Sequence, residues 1–163
     1  MNARDPALLD AVGACPLAVG LSPTQIEILA GAVALHRFAG GDVMARQGDI
    51  DDRLVVVVDG TLDVIRNPGT PGESVLATLH AGDLAHELGF LDGTPRYATL
   101  VATGPARVLM LERGNLERLL DVEPRVVYAV MRAIVRAVHR LQTRLSMQAA
   151  ELTNYVTKQH GRY

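Results

Sequence analysis

The residues able to do chemistry concentrate between Gly82 and Thr99, where His86, Glu87, Asp92 and Arg96 stand among small and apolar neighbours. Three kinds of chemistry are open to such a set. A metal could be held by His80, His86 and Glu87. Metal-binding jelly rolls, however, use a compact His-x-His pair with a following Glu and a distant His, and this chain has no His-x-His. His36, His139 and His160 offer no partner spacing, so no metal is expected. Nucleophilic catalysis fares no better. Cys15 lies in an apolar segment and reads as a small buried hydrophobe; Ser22 reads as a helix cap and Ser146 as a helix residue. Binding remains, without catalytic residues. Taken singly, Arg96 after Pro95 is a solvated charge, and Glu87 is a helix-terminal acid favoured by the dipole.

The elements around this stretch decide what it can do. The chain has 163 residues, about one domain's worth, with 48% hydrophobic and 21% charged residues. No apolar run approaches the roughly 20 residues of a membrane helix. No secretory signal is visible. The single cysteine cannot form an internal disulfide, which fits a reducing cytoplasm. The net charge of −2 hides an asymmetry. From Arg125 onward the chain carries +6, and residues 1–124 carry −8. An acidic body with a basic tail suggests two structural parts.

Residues 6–20 are apolar and punctuated by Pro6, Pro16 and Gly20. Ser22-Pro23-Thr24-Gln25 has the form of a capping box with Pro in the first turn, and predicts a helix over 22–34. Between 38 and 114 short runs rich in Val, Leu and Thr alternate with glycines. Strands are expected at Leu54–Val58, Leu62–Val64, Ser74–Leu79, Tyr97–Ala102 and Ala106–Glu112, with a tight turn at Asp59-Gly60 and a loop over 67–72. Many short strands indicate a mainly β fold of the jelly-roll or closed-roll kind. From Pro124 the pattern is helical. Val127, Met131, Ile134, Val138, Leu141, Leu145, Gln148, Leu152 and Tyr155 alternate in steps of four and three, a heptad seam. About 33 residues at 1.5 Å each make a helix of about 50 Å, too long for one small β domain. A coiled coil between two copies is expected. The stripe Arg132, Arg136, Arg140, Arg144 reads as a solvated face or as a surface for an acidic partner.

The run Gly82-Asp83-Leu84-Ala85-His86-Glu87-Leu88-Gly89, continuing through Asp92-Gly93 and Pro95-Arg96-Tyr97-Ala98-Thr99, resembles the phosphate-binding cassette of cyclic-nucleotide-binding domains. Pro16-Leu17 with Gly20-Leu21-Ser22, Phe38 to Val43, Arg46 to Asp49 and Val58 to Val64 resemble further segments of that family in order and spacing. The helix from 124 resembles the dimerisation helix of the catabolite activator type. The resemblance implies a β-roll (a double-stranded β-helix) with flanking helices over 1–123, a long dimerisation helix over 124–158 and a tail over 159–163. It also implies a ligand, cAMP or cGMP, and no cofactor. Arg96 offers a planar fork of donors for the phosphate. Glu87 accepts from the ribose hydroxyl, and backbone N–H groups at Leu88 and Gly89 face the anion. Leu84, Val75 and Leu76 line the apolar side. Gln142 or Thr143 could meet the base edge, near Leu141.

Two positions depart from the family pattern. His86 replaces a Gly that normally precedes the Glu, so a side chain enters or adjoins the pocket, either to bond phosphate or to block it. Tyr97 replaces the usual small residue before Ala98. The expectation is a non-enzymatic, stand-alone nucleotide sensor in the cytoplasm. It would form a homodimer through its last helix and signal to a separate effector protein. Only Gln159–Tyr163 follow that helix, so sequence-specific DNA binding is not expected, and the lack of a long apolar run leaves no membrane contact expected. The rival is a degenerate domain without nucleotide, serving as a dimerising interaction module.

Overall fold

The computed structural model describes the backbone of residues 5–160; the side chains of Leu145, Leu152 and residues 154–160 lie outside the description. The continuous apolar run at 54–57 explains the architecture. Leu54, Val55, Val56 and Val57 are all buried, because both faces of their strand are covered. Leu54 and Val56 point to a core shared with helices, and Val55 and Val57 to a core between two sheets. Side chains alternate across a strand, so a single run can serve two cores.

One sheet has the order β1 (Val33–Phe38), β8 (Ala106–Glu112), β3 (Arg53–Asp59), β6 (Leu84–Ala85). The other has β2 (Val43–Ala45), β7 (Thr99–Ala102), β4 (Leu62–Arg66), β5 (Ser74–Leu79). All pairings are antiparallel, with Val56 opposite Leu109 and Val64 opposite Leu100. The inter-sheet core joins Val55, Val57, Val108 and Met110 to Met44, Leu62, Val64 and Leu100. Asp59-Gly60 turns between β3 and β4. Gly60 has φ +77°, and a Cβ there would sit 2.4 Å from the Pro105 carbonyl oxygen, so only glycine fits.

On the outer face of the first sheet lie α1 (Pro6–Ala14), a 3₁₀ turn (Pro16–Ala18), α2 (Pro23–Ala32) and the start of α5 (Pro124–His160). The capping box forms as expected: Gln25 N–H donates to Ser22 Oγ and Ser22 N–H to Gln25 Oε1. Helix α2 stops at Ala32, two residues before the expected end, because Val33 and Ala34 pair with Leu111 and Met110. A strand over 33–38 has no clear alternation in its sequence, and the ladder with β8 creates it. Likewise Tyr97 precedes its strand, which begins at Thr99. Two short helices, α3 (Glu87–Asp92) and α4 (Arg113–Glu117), complete the chain.

Helix α5 has two different halves. Val126, Ala129, Val130, Ala133 and Ile134 are buried against the chain's own body, and Arg132 donates to the Val19 carbonyl. Beyond that, Val135, Val138, Leu141 and Met147 are exposed. The predicted seam is therefore divided: Val127, Met131 and Ile134 pack within the chain, and Val138 and Leu141 do not.

Candidate functional site

Arg96 is set by its backbone before its side chain is considered. Its N–H donates to the Asp49 carbonyl at 2.9 Å, and its carbonyl accepts from Gly48 N–H at 2.8 Å. These bonds tie the 93–98 loop to the loop before β3. The side chain is 4% exposed, and its guanidinium grips Asp51 with Nε to Oδ2 at 2.8 Å and Nη2 to Oδ1 at 3.1 Å. Asp51 also accepts from the Arg53 backbone N–H at 2.9 Å and from Arg53 Nη2 at 3.3 Å. Partial burial pushes the Asp51 carboxyl up. The bonds and charge of Arg96, with the Arg53 bonds, outweigh that and bring it down to about 2. This bidentate pair fixes the guanidinium plane and leaves Nη1 without a hydrogen bond to any described residue.

His86 occupies the left-handed region, with φ +69° and ψ +32°, as the residue preceding α3. A non-glycine residue pays strain there. The ring compensates by packing. Its Nε2 lies 2.9 Å from the Asp51 carbonyl oxygen, and its side chain is only 6% exposed. Burial first, and the Arg96 charge second, hold the imidazole below its ordinary pKa against the pull of Asp51. The neutral ring therefore donates from Nε2 to that carbonyl. Gly89 makes the room: a Cβ there would lie 2.0 Å from His86 Cε1. The imidazole is thus packed beneath the cassette and does not stand in the cleft as a plug.

At the start of α3 the N–H groups of Glu87, Leu88 and Gly89 have no intrahelical partner, because Phe90 N–H makes the first bond, to His86. A cleft opens beside Glu87. Its walls include Leu84, His86, Glu87, Arg96, Tyr97 and Ala98 from the cassette side. Val64, Ala77, Thr78, Leu79 and Leu100 come from the second sheet, and Ala137, Arg140, Leu141 and Arg144 from α5. Tyr97 is 60% exposed at the rim, and burial, helped by the Glu87 charge, pushes its phenol up.

Six of the residues singled out from the sequence are therefore brought together: Leu84, His86, Glu87, Arg96, Tyr97 and Ala98. Others lie off the walls. Val75 is 56% exposed on edge strand β5, and Leu76 is exposed beside it; the Leu88 side chain is 62% exposed. Gly89 is buried under His86 and contributes only backbone. Gln142 and Thr143 line a shallow trough with His139, Ser146, Met147 and Ala150. At 100° per residue that trough is on the far side of α5 from Ala137 and Leu141. Sequence reasoning missed Asp51. Its one signal is the acidic run Asp49-Ile50-Asp51-Asp52 before the buried strand. Among the described residues no group of three or more His, Cys, Asp or Glu side chains could hold a metal ion.

Comparison with known proteins agrees with this architecture. The cyclic nucleotide-binding domain family matches residues 35–123. A cAMP-dependent protein kinase regulatory subunit from Blastocladiella emersonii is 32% identical over 105 residues, 64% of this chain and 26% of that protein. The chain thus spans about a quarter of the length of that relative. The N-terminal domain of a transcriptional regulator from Streptomyces coelicolor A3(2) superposes with a TM-score of 0.68 at 31% identity, covering 83% of this chain and 95% of the other. A cyclic nucleotide-binding domain from Methylobacillus flagellatus KT shares the fold, with a TM-score of 0.73 at 23% identity over 91% of this chain and 82% of the other.

Proposed function

The chain belongs to the cyclic nucleotide-binding domain family, and from that premise we propose that it is a regulatory sensor that binds cAMP or cGMP and passes the result to a separate protein. One observation carries this reading: Arg96, held on Asp51 with its Nη1 free of hydrogen bonds to described residues, and Glu87 at the start of α3 both line one cleft walled by α5. The guanidinium and N–H groups suit a phosphodiester anion. The carboxylate accepts from the ribose 2′-hydroxyl. Nothing is transformed, so the protein works by binding and not as an enzyme. No cofactor is needed.

The cassette and α5 both touch the ligand space, so occupancy pulls the cassette against the helix. The exposed seam residues Val138 and Leu141, with Val135 beside them, support a homodimer through this half of α5. An effector would read the change at the dimer's surface.

Calorimetric titration with cAMP and cGMP tests the reading. Binding heat and a rise in unfolding temperature are expected. Arg96→Ala should weaken both. Absence of heat and of any shift at millimolar nucleotide overturns the sensor and leaves a dimerising interaction module. A monomeric mass in solution at tens of micromolar protein overturns the dimer.

A further inference from the structure

Arg140 and Arg144 are one helical turn apart on α5, and both line the cleft. Both side chains are exposed, and neither has a hydrogen bond or ion pair to any described residue. Their neighbours in the ladder behave differently. Arg132 is spent on the body, donating to the Val19 carbonyl and lying 5.6 Å over the Tyr128 ring. A solvated stripe would not turn two guanidiniums into a ligand space.

With phosphate on Arg96 and ribose on Glu87, the base falls to the rest of the wall. That part includes Ala77, Thr78 and Leu79 on β5, Asp83 just before β6, and Ala137, Arg140, Leu141 and Arg144 on α5. Ala77, Leu79, Ala137 and Leu141 give apolar surface for a purine face. The Thr78 hydroxyl is already engaged, donating to Asp63 Oδ1 at 2.7 Å. Thr78 and Asp83 keep acceptor oxygens beside the bonds they make; the polar groups here without a hydrogen bond to any described residue are the two guanidiniums, which donate and cannot accept.

We infer that Arg140 and Arg144 read the base and make the cleft select guanine over adenine; this rests on the nucleotide-sensor reading above. Guanine presents two acceptors, O6 and N7, on one edge, which matches a guanidinium fork. Adenine presents N7 and the N6 amino donor, so one donor faces another. The amide of Gln142, which could pair with adenine's donor and acceptor, is on the opposite side of the helix.

The test is calorimetric titration of the full chain with cyclic GMP, cyclic AMP and cyclic IMP. Cyclic IMP keeps O6 and N7 and lacks the 2-amino group. Cyclic GMP and cyclic IMP are expected to bind more tightly than cyclic AMP by roughly 5- to 150-fold. An Arg140→Lys, Arg144→Lys double variant keeps the charge but loses the fork. It should shrink the preference to within about threefold. Arg96→Ala should weaken all three ligands alike. Equal binding, a preference for cyclic AMP, cyclic IMP behaving like cyclic AMP, or an undiminished preference in the lysine variant each overturns guanine selection and leaves the sensor standing. Failure of all three ligands to bind overturns the sensor itself, and guanine selection with it.

Discussion

The two walls of the cleft are built on opposite plans. On the cassette wall Arg96 and His86 are pinned: Arg96 is buried on Asp51, His86 is locked on the Asp51 carbonyl, and Gly89 admits that ring. On the α5 wall the guanidiniums of Arg140 and Arg144 are exposed and carry no partner among the described residues. The first plan fixes donor geometry before any ligand arrives, so little ordering entropy is lost on binding. The second leaves two long, fork-shaped donors to order only when a base edge with acceptors is presented. A phosphodiester is the same in every cyclic nucleotide, whereas the base is not. On the proposed reading, the invariant part of the ligand would meet the rigid wall and the variable part the adjustable one.

The sharpest way to break this contrast is to unpin the rigid wall. Arg96→Ala leaves the partly buried Asp51 carboxylate with only its Arg53 bonds. Unfolding by urea should show a loss of about 3 kcal/mol, since removing one member of a buried pair strands the other. A loss near zero would mean that Asp51 is adequately solvated and the wall is not preorganised by the pair. Acid probes the same link without mutation. The native Asp51 value of about 2 lies below its ordinary 3.8. Its contribution is therefore complete above about pH 5 and disappears as the pH falls through 3.8 toward 2. The loss is about 2 kcal/mol.

Gly89→Ala drives a methyl into the His86 ring and should cost about 2 kcal/mol. Adding His86→Gly should restore part of that. The recovery is incomplete, because the Thr94 carbonyl oxygen also lies 2.7 Å from the new Cβ. Strict additivity of the two changes would deny the contact. A smaller effect follows from His86 itself. Its native pKa is depressed below 6.5, so the unfolded chain takes up the proton first. Stability should decline as the pH falls below about 6.5, and this step should vanish in His86→Gly. Smallest of all, Gln142→Ala should change nucleotide affinity by less than about twofold, as expected for a surface position outside the cleft. A loss larger than that of Arg140→Ala would move the base contact to the far face of α5.

Much of the fold was readable because it rests on local chemistry. The Ser22–Gln25 capping box, the Asp59-Gly60 turn and the strands over 54–58, 74–79 and 106–112 all carry their signals in neighbouring residues. The strand over 33–38 did not, because only its ladder with β8 makes it extended. Asp51 was unreadable for a similar reason: it meets Arg96 across 45 positions of chain, through loops whose backbones bond to each other. The role of His86 was open between bonding phosphate and blocking the site. The ring takes a third course beneath the cassette, which depends on the space over Gly89.

The sequence by itself determined that Arg96 and Glu87 stand in a cassette-like stretch, that short strands precede a long basic helix, and that His86 and Tyr97 depart from the pattern. These are matters of residue type and spacing. Only the tertiary structure decided which face of α5 closes the cleft. The packing of Val126, Val130, Ala133 and Ile134 on the body fixes the rotation of the helix, and at 100° per residue that rotation turns Arg140 and Arg144 inward and Gln142 and Thr143 away.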